Sequence, residues 1–317
     1  MKKQNINLYL ASPRGFCAGV DRAVKIVEQA IKKYGSPIYV RHEIVHNKEV
    51  VNSLSKLGAI FIDEINEAPQ NSIIIFSAHG VPKSVYEEAK NRKMISIDAT
   101  CPLVTKVHNE AQKHDKEGRH ILLVGHKFHP EVIGTMGQVS ENSITLIENE
   151  SDAKNVYVKD PENVAYATQT TLSIDDTEKI LNILKKRFPS IKGPSTNDIC
   201  YATTNRQLAV KSMTKFCDCI LVIGAQNSSN SKRLVEVAKF NGVKNSFLIS
   251  EEKDLNKFLL NYNSKQYSNI GLTAGASAPE TLVQVFITKL KKDFNVNQID
   301  HQVVKENVYF NLPKFLR

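Results

Sequence analysis

Short apolar runs alternate along the whole chain with longer stretches whose apolar residues recur at helical spacing. Residues 6–11 (INLYLA), 38–41, 73–77 (IIIFS), 95–98, 121–125 (ILLVG), 219–224 (CILVIG) and 270–273 read as short buried strands. Between them lie helices. After Cys17 the positions Val20, Ala23, Val24, Val27, Ala30 and Ile31 keep helical spacing, and Gly35 follows as a stop. This alternation predicts an α/β fold built on parallel sheets. No low-complexity stretch or Gly/Ser linker interrupts it, so the domains are closely joined.

A threefold repeat of site types is laid over this pattern. Cys17 (SPRGFCAGVDRA), Cys101 (IDATCPLVTKV) and Cys200 (NDICYATTNRQ) each fall between a strand and a helix. Pro102 suits a first helical turn and puts Cys101 at or near an N-cap. A polar loop follows each cysteine: His46-Asn47 after 29 residues, His129-Pro130 after 28, and Ser228-Ser229-Asn230 after 28. A second set comes later: Ser77-Ala78-His79-Gly80, Thr168-Gln169-Thr170-Thr171 and Ala274-Gly275-Ala276-Ser277-Ala278-Pro279, at offsets of 62, 69 and 77. Loops at the carboxyl ends of parallel strands are where open α/β sheets bind ligands. Three small α/β units about a pseudo-threefold axis would bring three cysteines to one centre, with six polar loops around them.

The length of 317 residues suits two or three such units, each with its own core. No apolar run exceeds about seven residues, whereas a membrane span needs about 20, so no transmembrane helix is expected. Met1-Lys2-Lys3 has a faint secretory look, but Asn5, Asn7, Ser12, Pro13 and Arg14 break up any apolar region behind it. A cytoplasmic protein is expected. Five cysteines, an odd number without a C-x-x-C, argue against a disulfide framework and leave burial, metal binding or redox chemistry. The net charge of +9 would serve nucleic acid, an acidic protein or a phosphorylated substrate, and by itself selects none.

Recurrence at equivalent junctions gives Cys17, Cys101 and Cys200 a shared ligand role, because a helix N-terminus favours thiolate. Cys217 and Cys219, at the entry to a strand in KFCDCILVIG, read as packing residues. Structural zinc is normally closed by four ligands and catalytic zinc prefers histidine-rich sets. Iron–sulfur clusters are held by thiolates, and three on a four-iron cluster leave one iron open as a Lewis acid. Cysteine spacings of 84 and 99 are unlike ferredoxins, so a cluster that performs chemistry fits better than an electron carrier.

Among nine histidines, His42, His108, His114, His120 and His301 read as surface residues without a role. His46, His79 and His129 occupy repeat loops. With Ser228, Asn230 and Ser277 they make a donor-rich rim, lacking a P-loop lysine, that suits a diphosphate held by side chains and helix N-termini. Ser228 and Ser277 also read as ordinary caps and turns. Glu131, two residues from His129, would be the proton donor of a closed pocket, given a raised or relayed pKa. Thr170 would pass that proton or hold a substrate hydroxyl. Gly15 and Gly19 flank Cys17 and suit close backbone approach, without forming a dinucleotide motif.

SPRGFCAGVDRAV, RHEIVHN, IFSAHGVP, DATCPLVTKVH, GHKFHPEVIGTMGQV, TQTTLS, DICYATTNRQ, QNSSNSKRL and TAGASAPE closely resemble the 4-hydroxy-3-methylbut-2-enyl diphosphate reductases, over residues 8 to 290. The resemblance implies three small α/β domains in a pseudo-threefold trefoil around one [4Fe-4S] cluster with three cysteine ligands and an open iron. It implies domains at 14–98 (Cys17), 99–197 (Cys101) and 198–294 with 1–13 (Cys200). Residues 295–317 form a tail found in some members only, reading as a strand and turn over a domain edge. By the same resemblance Cys17, Cys101 and Cys200 hold the cluster. His46, His79, Ser228, Ser229, Asn230 and Ser277 hold the diphosphate. His129 lies nearer the hydroxyl end, Thr170 contacts the hydroxyl and Glu131 supplies protons. The implied reaction is a two-electron, two-proton reductive dehydroxylation to isopentenyl and dimethylallyl diphosphates, closing the methylerythritol phosphate route.

Three alternatives are distinguishable. An open-site iron–sulfur dehydratase, or a zinc hydrolase on the same thiolates, would turn over without a reductant. A nucleic-acid-binding protein would cluster its Lys/Arg or interleave aromatic platforms. Here basic residues are dispersed and tryptophan is absent, so no nucleic-acid partner is expected. The surplus positive charge fits an anionic substrate and an acidic electron donor of the ferredoxin or flavodoxin type.

Overall fold

The runs read above become strands; 219–223 (CILVI) is buried and apolar throughout, whereas 95–98 (ISID), expected to be buried, is an edge strand exposed at all but Ile97. The computed structural model describes residues 3–261 and 267–317, so Met1 and Lys2 of the amino-terminal reading lie outside it. In chain order the elements are β1 (Gln4–Ser12), α1 (Ala18–Tyr34), β2 (Ile38–Arg41), α2 (Lys48–Leu57), β3 (Ala59–Ile62), β4 (Ile73–Phe76), α3 (Lys83–Asn91) and β5 (Ile95–Asp98). Next come α4 (Pro102–Lys116), β6 (His120–Val124), α5 (Pro130–Met136), β7 (Ile144–Ile147), α6 (Glu150–Asn155), β8 (Val164–Thr168) and α7 (Ile174–Arg187). The remainder is α8 (Tyr201–Met213), β9 (Cys219–Ile223), α9 (Ser229–Phe240), β10 (Ser246–Ile249), α10 (Glu252–Asn261), β11 (Asn269–Ala274), α11 (Glu280–Asp293) and β12 (Phe294–Gln302).

These strands form three all-parallel sheets, ordered β3-β2-β4-β5, β7-β6-β8 and β10-β9-β11-β1-β12. Each contains the same three-strand core, in which the first strand in sequence is central: β3-β2-β4, β7-β6-β8 and β10-β9-β11. A fourth segment lies beside the third strand of each core and leads to a cysteine. It is β1 before Cys17, β5 before Cys101, and a single parallel bridge, Ala165 to Lys192, before Cys200. The repeat in the sequence is therefore a repeat of topology.

The chain folds into two compact units. One comprises Met1–Ala18, His46–Lys48 and Tyr201–Tyr309, and holds the five-stranded sheet; the other comprises Gly19–Val45, Glu49–Cys200 and Phe310–Arg317, and holds the other two sheets. The grouping differs from the three expected spans at the cysteines. Cys17 goes with the sheet whose strand β1 delivers it, and Cys200 with the three-stranded sheet that precedes it. The span 295–317 begins, as its reading as a strand over a domain edge expects, with an outermost sheet strand. Its first part is β12, paired with β1 in continuous register from Gln4–Phe294 to Ser12–Gln302.

In the five-stranded sheet, Leu8, Leu10, Leu221 and Ile223 face Leu255, Val283 and Phe286 of α10 and α11. Ile220 and Val222 face Ala209, Val210 and Leu234 of α8 and α9. Each such buried aliphatic side chain contributes about 1.5–3 kcal/mol. Cys219 packs in the first layer and Cys217 in the second. Gly35 closes α1 in a positive-φ conformation, its N–H donating to the Ile31 carbonyl, as its position after the helical pattern predicts. The strands not read from the sequence include β3, β7 and β10. All three are four-residue sheet-edge strands with partly exposed residues.

Candidate active site

Cys17, Cys101 and Cys200 each stand immediately before a helix, at the starts of α1, α4 and α8. Their backbones are anchored alike. Cys17 N–H donates to the Ala276 carbonyl (3.2 Å), Cys101 N–H to Ala78 (3.0 Å) and Cys200 N–H to Thr170 (3.1 Å). All three acceptors belong to the second set of polar loops. Those loops are tied in turn to the end of the central strand or the loop after it: Ala78 N–H to Ile44 O, Gln169 N–H to Val124 O, and Gly275 N–H to Ile223 O. The three thiols are unbridged and half-buried. Each thiol stands at the positive end of a helix. Arg22 adds a second cationic group near Cys101, with Nη1 donating to the Thr100 carbonyl at 3.0 Å. Cys217 and Cys219 are the opposite case. Burial pushes the Cys217 thiol up to about 12 and the Cys219 thiol higher still, so both remain neutral packing groups.

The five-stranded unit gathers His46, Ser228, Ser229, Asn230 and Ser277. Ser228 caps α9, accepting from Ser231 N–H (3.3 Å) and from its hydroxyl (3.0 Å). Ser229 is the first residue of that helix. Asn230 accepts the Ala276 N–H through Oδ1 at 2.9 Å, while its Nδ2 is buried with no hydrogen-bond partner among the described residues. A buried amide left in that state costs free energy until an acceptor arrives. Ser277 Oγ donates to the His46 carbonyl (3.0 Å), and Asn227 Nδ2 lies 3.4 Å from His46 Nδ1. Gly275 is required here, because a Cβ on it would lie 2.0 Å from Ser231 Oγ.

The other unit gathers Glu131, Thr170, His129 and His79. Glu131 is only 3 % exposed; Oε1 accepts the Thr170 N–H (2.6 Å) and Oε2 the Thr170 hydroxyl (3.0 Å). Burial pushes the Glu131 carboxyl up to about 7, with nearby Asp198 adding to the rise and the two Thr170 bonds opposing it. His129 caps α5, its Nδ1 accepting the Glu131 N–H at 3.2 Å, which places the proton of the neutral ring on Nε2. His79 is hydrogen-bonded through Nδ1 to Ser77 Oγ (3.2 Å) and meets the His129 ring edge-on, centroids 5.9 Å apart.

Two histidines depart from the surface reading. His108 is 6 % exposed and lies under the His79 loop, where a Cβ on Gly80 would come within 2.5 Å of its ring; burial lowers it to about 4, so it packs as a neutral ring. His114 is also buried, and burial lowers its pKa as well. Both sit on the inner face of α4, and single-residue polarity does not reveal which face a histidine occupies. Among the described residues no three His, Cys, Asp or Glu side chains are grouped as a single metal ion would require. A cleft of about 810 Å³ along α4 is lined by Arg22, Thr100, Pro102, Lys106 and Ser195, and none of the expected diphosphate residues lines it.

The model of the LytB protein family matches residues 8–291. The chain belongs to the LytB family. A LytB relative from Roseobacter denitrificans, named 4-hydroxy-3-methylbut-2-enyl diphosphate reductase, is 52% identical over all of this chain and 99% of its own length. One of the same name from Gluconobacter oxydans is 50% identical over 98% of this chain and 92% of its own. A solved structure of the E-1-hydroxy-2-methyl-but-2-enyl-4-diphosphate reductase from Plasmodium falciparum superimposes with a TM-score of 0.91 at 41% identity, covering 98% of this chain and 97% of that one. A second, described as the terminal enzyme of the non-mevalonate pathway, gives 0.62 at 30% identity over 90% and 99%. This LytB chain therefore has the α/β fold of those reductases.

Residues to which sequence reasoning assigned no role lie within the LytB motif DICYATTNRQ itself. Asp198, two residues before Cys200, is buried and accepts from Thr168 N–H (2.9 Å) and Lys106 Nζ (3.1 Å). Burial raises its pKa, against the pull of those bonds. Tyr201 OH accepts the Ala18 N–H at 3.1 Å, next to Cys17. Arg206 is fully buried in α8. The one signal available was position: Asp98 and Asp198 each closely precede a cysteine in the repeat.

Proposed function

We propose that this chain is a 4-hydroxy-3-methylbut-2-enyl diphosphate reductase that carries one [4Fe-4S] cluster on Cys17, Cys101 and Cys200. The chemistry of the donor set fits that group: three half-buried thiols at helix starts with like backbone anchors, beside two sealed ones. When bound, such a cluster supplies electrons and a Lewis-acidic iron for removing the allylic hydroxyl. The protein's own residues do the rest. His46, His79, Ser228, Ser229, Asn230 and Ser277 bind the diphosphate, with the buried Asn230 amide gaining a charge-assisted bond to a phosphate oxygen. Binding through that end supplies orientation, so the short hydrocarbon needs no contact specific to it. Thr170 and His129 hold the substrate hydroxyl. Glu131 delivers the protons that balance two electrons as the C–O bond breaks: one to the departing oxygen, leaving water, and one to the allylic carbon fragment.

The observation that carries this reading is the Glu131–Thr170 pair. A buried carboxyl near 7 is protonated often enough to act as an acid at neutral pH, and a hydroxyl already gripping it can pass the proton on. All five cysteines are unbridged, which supports a reducing, cytoplasmic location. Among the described residues no helix is long and apolar enough to cross a membrane. The net charge of +9 supports an acidic ferredoxin- or flavodoxin-type donor, and donor-dependent rates should then fall with added salt. The test is anaerobic purification, iron and sulfide analysis, and Mössbauer spectra with and without the substrate diphosphate. Four irons per chain with one site altered by substrate support the proposal. Zinc, a cluster indifferent to the diphosphate, or turnover without reductant would defeat it.

A further inference from the structure

Arg206 is a guanidinium with no exposed surface, an arrangement proteins accept only when every donor is met and the charge is paired. Its five N–H groups make five hydrogen bonds. Nε (3.1 Å) and Nη2 (2.7 Å) donate to the Gly15 carbonyl, and Nη2 also to Phe16 O (3.4 Å). Nη1 donates to Ala202 O (3.0 Å) and to Glu306 Oε1 (3.0 Å). The two residues immediately before Cys17 are thus held by one fork. Gly15 is at φ +66, where a Cβ would also lie 3.0 Å from the Ala278 carbonyl. Behind Cys17, Ala18 N–H is taken by Tyr201 OH, and the N–H of Cys17 itself by Ala276.

The counter-charge comes from a segment that forms neither strand nor helix. Glu306 lies past the end of β12, its side chain 17 % exposed, and also accepts from Asn205 Nδ2 at 3.0 Å. We propose that Arg206 and Glu306 are a positioning pair for the Cys17 turn, and that the segment after β12 delivers Glu306 to it. The carboxylate keeps the fork aimed at the Gly15 and Phe16 carbonyls, so that the Cys17 sulfur is presented in one direction. The inference rests on the cluster reading above.

The experiment compares Glu306→Ala, Glu306→Gln, Arg206→Lys and the exposed control Lys305→Ala after anaerobic reconstitution. It follows iron loss to a chelator, the electron paramagnetic resonance of the reduced cluster, and melting with and without iron. Glu306→Ala should lose iron about tenfold faster than wild type, because removing one partner leaves the buried cation uncompensated. Its resonance should broaden, while the melting increment conferred by the cluster shrinks. Glu306→Gln, which keeps an acceptor for Arg206, should fall between, and Lys305→Ala should match wild type. Arg206→Lys keeps the charge without the fork and should still lose iron faster; should it fail to fold, Glu306→Gln decides. Wild-type retention in the Glu306 variants, or a melting loss equal with and without iron, overturns the positioning role alone. A wild-type chain that takes up no cluster overturns the function and this inference together.

Discussion

The five-stranded unit and the unit with the other two sheets repeat one strand topology but carry opposite polar inventories. The first presents hydroxyls, a histidine and a buried amide donor, Asn230 Nδ2, with no acceptor among the described residues. The second presents a buried carboxyl that is already gripped, Glu131 on Thr170. One inventory waits for negative charge, and the other withholds it. On the proposed roles, the diphosphate contacts other than His79 fall in the first unit and the proton donor in the second, so the two roles can be perturbed separately.

The largest expected effect would erase the contrast between units. Cys17→Ser in one unit and Cys101→Ser in the other should each abolish iron retention and turnover. Cys219→Ala should keep full iron and cost only about 1 kcal/mol in a denaturant melt, as a small cavity in a packed core does. Next, Glu131→Gln should lower kcat by about a hundred- to ten-thousandfold with little change in KM, in steady-state assays with an artificial reductant. Asn230→Ala should do the converse. KM should rise about ten- to a hundredfold and inhibition by pyrophosphate weaken in step, with kcat nearly unchanged, since the bond lost is one to a charged group. Equal changes in kcat and KM for both variants would break the division of labour.

The smallest effects sharpen the acid. The wild-type rate should fall as pH rises through about 7, where Glu131 gives up its proton. Thr170→Val removes a hydroxyl that favours the carboxylate, so the alkaline limb should move to higher pH. Asp198→Asn removes a repelling neighbour and should move it lower, by under about one unit. Stability has the same sign. A carboxyl whose folded pKa is raised contributes stability below the ordinary carboxylate range and loses it as pH climbs through about 7. Glu131→Gln should therefore flatten the pH dependence of melting across that window.

Much of the arrangement was legible in the residues. The central strands β6 and β9 were readable because strands covered on both faces are nearly all apolar, and β2 because Ile38 and Val40 alternate as buried positions. Cys17 and Cys101 were readable because strand, cysteine and helix follow one another locally, whereas Cys200 follows only a single bridge at Lys192. Edge strands β3, β7 and β10 were not, since four-residue runs such as AIFI do not by themselves distinguish a strand from a turn of helix. The segment of β12 was read as a strand over a domain edge but its partner was not, because FNVNQIDHQ carries no apolar run and its place is set by pairing with β1, some 290 residues away. His108 and Arg206 escaped for a related reason: burial of a polar residue on a helix depends on what packs against it.

By itself, then, the sequence determined the parallel α/β class, the threefold order of cysteines and polar loops, and the family. Those depend on short-range pattern and on motifs that stay in register. Tertiary structure alone decided which carboxyl becomes an acid near 7, which amide is left without an acceptor, and which guanidinium holds the turn before Cys17. Desolvation and hydrogen-bond partnership are properties of surroundings assembled from distant segments. Glu131 is an ordinary carboxylate in the chain; burial makes it unusual, while Thr170, 39 residues on, holds it in place and restrains the rise.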